Sequence, residues 1–282
     1  MDKIITEKID LLKAYFSKRQ EVAMAFVFGS YAAGQATSES DVDIAVYFRP
    51  QGRSLEWEET NTYESEDEIW SDVERIAGIK TDLVVLNRAP AVLAASILEN
   101  GLALIIKDAA LYLRLLLSLS SAAEYFRDFV EDFWRIKQRS QSLSGIDKER
   151  LIRIADFLET ELGEYSKFGG LLREDYENNS DLRRNVERWV ENIVNASIDS
   201  AKILLASEKK RIPQTYREIL EELFLLPDFD SPAAKKLGQF AKLRNILAHE
   251  YVDIRFTQIK VFIQDSEPAY KALLDFVKKR VG

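Results

Sequence analysis

The chain of 282 residues contains no cysteine and a single histidine. Without cysteine there is no disulfide, no thiolate nucleophile and no zinc–thiolate site. With one histidine, any imidazole acid–base chemistry falls to His249. Long hydrophobic runs are missing as well. The most apolar piece, Leu111 to Leu119, is interrupted by Arg114 and is too short for a membrane span. The N-terminal MDKIITEKIDLLK lacks the apolar core of a signal peptide and reads as an amphipathic helix, so the cytoplasm is the expected compartment and no membrane partner is expected. A G-K-[ST] phosphate loop is absent, which removes P-loop kinases and ATPases from consideration.

Surplus positive charge is lacking too. The chain has 39 Lys and Arg against 47 Asp and Glu, a formal net charge of −8. Residues 1–140 hold 16 basic and 23 acidic residues, whereas residues 141–282 hold 23 and 24. The first half is therefore unsuited to bulk electrostatic binding of nucleic acid, while the second has room for a local basic patch. What is present is ordinary globular material, 46% hydrophobic and 30% charged, enough for two modest domains.

Apolar patterning divides the chain. Leu11, Tyr15 and Phe16 lie at helical spacing, and β-branched and aromatic runs at Val22–Phe28, Val42–Phe48, Thr81–Leu86 and near Leu102–Ile106 read as strands. Residues 56–74 carry nine acidic residues and read as a helix with a solvated face, turning Ile69, Trp70 and Val73 inward. Strands interleaved with helices indicate an α/β domain. Helical spacing then dominates over Ala122–Ile136, Leu151–Phe168, Leu182–Leu205, Tyr216–Leu226 and Ala233–Ala248, while Gln258–Ile263 fits either helix or strand. The polar QSLSG stretch ending at Gly145 reads as a linker, which places a boundary near residue 140 and leaves the helix over 120–138 assignable to either side.

Two groups of residues carry chemistry. In GSYAAGQATSESDVDIAV, Gly29 and Ser30 close one strand and Asp41 and Asp43 enter the next. Strand alternation sends residues two apart to one face, so the two carboxylates converge. They repel unless a cation lies between them, and Mg²⁺ takes hard oxygen ligands shared with phosphates. Asp82 begins another strand that can supply a third ligand. Gly29 lets backbone approach a phosphate, and Ser30 with the following N–H groups can hold it. This arrangement resembles the DNA-polymerase-β-like nucleotidyltransferases, and the G-S-x10-D-x-D spacing is similar to that of the minimal nucleotidyltransferase (MNT) family over about residues 20–110. The resemblance implies a mixed sheet with helices, two Mg²⁺ ions held by Asp41, Asp43 and Asp82, ATP as donor, and attack on the α-phosphate with pyrophosphate leaving.

The second group is Arg244, Asn245, His249 and Tyr251 in FAKLRNILAHEY, late in a helical segment. At about 100° per residue, Asn245 and His249 lie within roughly 40° of each other, and Arg244 and Tyr251 within roughly 20° if the helix continues. An imidazole beside a guanidinium suits phosphodiester cleavage: His249 moves protons and Arg244 holds the scissile phosphate. RNA brings its own 2′-hydroxyl as nucleophile, so this chemistry needs no metal. The R-N-x3-H-x-Y pattern resembles the toxin of HEPN/MNT toxin–antitoxin pairs over about residues 145–265, with NASIDSAKILL and Pro213 to Arg217 as further points of likeness. It implies an all-α HEPN bundle and an RNA-cleaving site completed by dimerisation. Arg183, Arg184, Arg188, Lys209 to Arg211, Lys235 and Lys236 are candidates for steering RNA.

In that family the nucleotidyltransferase is the antitoxin and transfers AMP to the tyrosine of R-x4-H-x-Y, a position filled here by Tyr251. The resemblance thus implies a fused toxin–antitoxin. Fusion departs from the usual pair of separate chains and fixes the ratio at one to one. Two other readings stay open: a small-molecule adenylyltransferase similar to the aminoglycoside nucleotidyltransferases, for which Arg244 and His249 are dispensable, and a non-catalytic nucleotide-binding regulatory dimer.

Overall fold

The computed structural model describes residues 3–37, 40–50, 52, 55–139, 142–249 and 256–282, with backbone alone for residues 3–6, 248 and 249. The chain falls into two units, Met1–Phe126 and Arg127–Gly282.

The first unit is built on one four-stranded sheet. Its elements run α1 (Lys3–Lys18), β1 (Val22–Phe28), α2 (Gly29–Ala32), β2 (Val42–Phe48), α3 (Glu66–Ala77), β3 (Thr81–Val85), α4 (Ala91–Asn100), β4 (Leu102–Ile106) and the start of α5 (Ala109–Lys137). Strand order is β3-β2-β1-β4. The β1 strand pairs antiparallel with both β2 and β4, and β2 pairs parallel with β3, so the sheet is mixed. Both faces are covered, which is why the central strands read as nearly unbroken apolar runs. One face packs Phe26, Ala45 and Tyr47 against Ala94, Leu98, Leu115 and Leu119 of α4 and α5. The other packs Ile44, Val46 and Phe48 against Leu12 and Phe16 of α1 and Ile69 and Val73 of α3.

Two expectations for this unit need correction. The helix read over residues 56–74 begins at Glu66. Glu58 sits at φ 53, outside helical space. Leu55, Glu56 and Trp57 are buried, and the Glu56 carboxylate accepts from Tyr63 Oη at 2.9 Å and Asn87 Nδ2 at 3.0 Å. Trp70 does not turn inward. It is 48% exposed while Ile69 and Val73 are fully buried, because one residue along a helix rotates a side chain by about 100°. Its indole N–H instead donates to the Thr81 carbonyl at 2.6 Å. Leu11 is likewise exposed, and Ile9, Leu12 and Phe16 form the inner stripe of α1.

The second unit is helical. It takes the end of α5 and continues through α6 (Gly145–Leu162), α7 (Tyr165–Phe168), α8 (Arg173–Asn178), α9 (Ser180–Ser207), α10 (Tyr216–Glu221), α11 (Ser231–Phe240), α12 (Lys242–His249), α13 (Phe256–Asp265) and α14 (Glu267–Val281), with a 3-10 turn over Glu222–Leu225. Side chains cap several starts. Ser144 accepts from Asp147 N, Asn179 from Asp181 N and Leu182 N, Thr215 from Glu218 N and Asp230 from Ala233 N; each such cap is worth about 1 kcal/mol. The long α9 is the axis. It packs against α6, α8, α10, α12, α13 and α14, burying Val186, Val190, Ile193, Val194, Ala201 and Leu205. Gln258–Ile263 resolves as helix. The pattern read as one helix over Ala233–Ala248 is two, separated at Ala241. There the bonds tighten to three-residue spacing, Ala241 N–H to Gly238 O and Arg244 N–H to Ala241 O.

Candidate functional site

Strand register assembles the first site. In the parallel β2–β3 pair Asp43 stands opposite Asp82, and in the antiparallel β1–β2 pair it stands opposite Phe28. Paired residues share a face of the sheet, and so do residues two apart on one strand. Asp43 and Asp82 therefore form one rung, and Asp41 and Lys80 lie two residues before them, just outside β2 and β3. The Val42 N–H donates to Lys80 O at 3.0 Å where the ladder opens at the Val42–Thr81 pair. Tyr31 Oη donates to Ser40 O at 3.4 Å and ties α2 to the segment entering β2.

Gly29 directly follows β1 at φ +67. A Cβ there would fall 2.2 Å from Asp43 Oδ2, so only glycine lets the turn press against that carboxylate. Ser30 follows in α2, where its carbonyl accepts from Gln35 N at 2.9 Å. Burial raises the Asp43 carboxyl above the ordinary range, and the charges of Asp82 and Asp41 raise it further. A cation placed among these groups would relieve that repulsion, and an all-carboxylate donor set matches a hard divalent ion. Among the described residues, no three Asp, Glu or His already stand as a metal-binding group. Asp41 is engaged elsewhere: Lys80 Nζ lies 2.7 Å from its Oδ2. Lys80 was missed in the sequence, although its place two residues before Asp82 is the same period-2 signal that joins Asp41 to Asp43.

The second group lies on α12. Asn245 is 4% exposed, and Arg244 is half-buried with its guanidinium carbon 4.6 Å from the centroid of the Tyr216 ring. Tyr216 opens α10 and meets Phe129 edge-on at 5.5 Å. Lys202 lies over Phe129 at 5.4 Å and pairs with Asp132 at 3.0 Å, which also pairs with Arg150 at 2.7 Å. Burial alone would raise Asp132, but the hydrogen bonds from Arg150 and Lys202 outweigh it and hold its pKa at about 2. The seat of Arg244 is thus braced from α5, α6 and α9. His249 ends α12, four residues after Asn245. Its side chain, and Tyr251 altogether, lie outside the described residues. Several of the basic RNA-steering candidates are engaged by neighbours: Arg184 with Asp181, Arg188 with Glu191, Arg211 with Glu218 and Glu222, and Lys236 with Asp265. Lys209 donates to the carbonyls of Lys137 and Arg139.

Comparison with known families agrees with this division. Residues 10–110 match the family model described as "Polymerase beta, Nucleotidyltransferase", and residues 148–277 match "Ribonuclease HepT-like". The chain joins a nucleotidyltransferase-family domain to a HepT-like domain. The rung of Asp43 and Asp82 lies in the first and the Arg244 helix in the second. A solved structure described as "Crystal structure of the toxin-antitoxin with AMP-PNP" aligns with 44% of this chain and 96% of its own at 19% identity and a TM-score of 0.36. No curated protein matches the chain. Among the described residues, no helix is long and apolar enough to cross a membrane.

Proposed function

We propose that this chain is a fused toxin–antitoxin, in which the nucleotidyltransferase domain transfers AMP from ATP to Tyr251 and so silences a ribonuclease centred on Arg244 and His249. The observation that carries this reading is the tandem itself: a nucleotidyltransferase-family domain and a HepT-like domain in one chain. The registered pair Asp43 and Asp82 beside Gly29 supports the transferase half.

In this reading Asp41, Asp43 and Asp82 hold two Mg²⁺ ions, which when bound neutralise phosphate charge. Gly29 and Ser30 receive the triphosphate against the end of β1. The Tyr251 hydroxyl attacks the α-phosphorus of ATP. A phenolic O–P bond forms, the bond to the bridging oxygen breaks, and pyrophosphate leaves. The phenolic proton passes to Asp82 and then to water. Transfer runs within one chain or between two copies.

In the unmodified protein Arg244 binds the scissile RNA phosphate. The 2′-hydroxyl attacks that phosphate, the P–O5′ bond breaks to leave a 2′,3′-cyclic phosphate, and His249 moves the proton from the 2′-oxygen to the leaving 5′-oxygen, with no metal required. Asn245 supports the helix face. Two chains pair as a homodimer, each lending its Arg244 and His249. AMP on Tyr251, two residues from His249, sets a bulky anion where the RNA phosphate must sit.

The test is intact mass after incubation with ATP and Mg²⁺. Wild type, first shown to be unmodified, gains one or more AMP units, and Asp43→Ala and Tyr251→Phe gain none. Wild type that gains nothing would overturn self-modification and favour a small-molecule adenylyltransferase.

A further inference from the structure

We propose that Lys80 is a latch on the candidate metal site: its ammonium holds Asp41 in the metal-free protein and must be displaced before a divalent cation can be bound. The inference rests on the reading of Asp41, Asp43 and Asp82 as metal ligands and deepens it.

Three observations converge. The first is contact. Lys80 Nζ lies 2.7 Å from Asp41 Oδ2, in hydrogen-bonding range of one carboxylate that the cation needs. The second is position. The rung of Asp43 and Asp82 is set by backbone pairing, whereas Asp41 precedes β2 and its carboxylate is paired with Lys80. The third is local charge. The Lys80 ammonium touches Asp41 and stands two residues before Asp82, which pairs with Asp43, so one positive charge lies at the edge of three carboxylates.

The exchange has a physical basis. Lys80 is 67% exposed and Asp41 40%, so their pair is a weak surface ion pair that a divalent ion can displace. Its removal still matters, because a cation entering beside an ammonium is repelled by it over a short distance. Once Asp41 turns to the cation, the ammonium is released toward solvent. Lys80 is a positioning residue on this account, because it acts through Asp41. Its presence raises the metal concentration at which the site assembles.

The experiment is a titration of the full chain with Mn²⁺ alone, without nucleotide, read by the electron paramagnetic resonance of free Mn²⁺. Trp70 gives a second readout. Its indole N–H bonds the Thr81 carbonyl between Lys80 and Asp82, so paramagnetic quenching lost in Trp70→Phe reports this site. Lys80→Gln is expected to bind Mn²⁺ about 3- to 10-fold more tightly than wild type, with the gap narrowing at high salt. Lys80→Arg is expected to keep wild-type affinity. A substitution that merely loosened the fold would weaken binding, so tightening separates a latch from a structural role. Equal affinity in wild type and Lys80→Gln, or weaker binding in the variant, overturns the latch and leaves the metal site standing. No binding by either protein overturns the metal reading and the latch with it.

Discussion

The two domains hold their candidate sites by different means. In the sheet domain the positions come from the backbone: Asp43 faces Asp82 because β2 and β3 pair in register, and Gly29 faces Asp43 because β1 ends there. In the helical domain the position of Arg244 comes from side chains, through Tyr216, Phe129, Lys202 and Asp132. A register fixed by a ladder of hydrogen bonds resists single substitutions except at the functional side chains themselves. A guanidinium seated on a ring can be unseated by changing residues that never touch the substrate. The first site should therefore fail abruptly and the second by degrees.

The largest effect tests the abrupt case. Asp43→Asn is expected to lower AMP transfer by about 1,000-fold or more, while circular dichroism stays that of wild type. Gly29→Ala sharpens it, because the added methyl collides with Asp43 Oδ2 and the backbone lies at φ +67. Transfer should fall about 100-fold at a stability cost of only about 1–2 kcal/mol. The graded case comes next. Tyr216→Leu removes the ring under Arg244 and is expected to slow RNA cleavage about 10-fold, with Tyr216→Phe close to wild type. If Leu and Phe behave alike, the ring is not the seat of Arg244.

The smallest effect lies at the far end of that chain of contacts. Asp132 has a depressed pKa of about 2 in the folded protein, against an ordinary value near 3.9. Its contribution is therefore fully present above about pH 4 and is lost as pH falls toward 2. Asp132→Asn should remove about 1–2 kcal/mol of stability at pH 7 and flatten the decline between pH 4 and 2, as measured by urea denaturation.

What could be read from the sequence follows the same contrast. The two central strands were legible because their residues are buried on both faces and leave nearly unbroken apolar runs, and Asp41, Asp43 and Gly29 stand out against such runs. The segment before α3 was not legible. Its acids suggest a solvated helix, but Glu56 is buried and held by Tyr63 from the same segment and by Asn87, 31 residues on. Trp70 reads inward beside Ile69 and Val73, yet one residue of helical rotation carries it outward, where its N–H meets a carbonyl on β3. The break at Ala241 carries no proline at the junction. It arises from tightened backbone bonds close to Gly238, where a side chain would meet Glu221 Cγ at 2.4 Å. The seat of Arg244 on Tyr216 links two helices through tertiary packing alone, and no local spacing encodes it.

The most direct test of the account is RNA cleavage by the same protein before and after incubation with ATP and Mg²⁺, beside Asp43→Ala and Tyr251→Phe. The expected result is cleavage that falls in wild type as AMP is gained and persists in both variants. Cleavage unchanged in wild type that carries AMP on Tyr251 would contradict it.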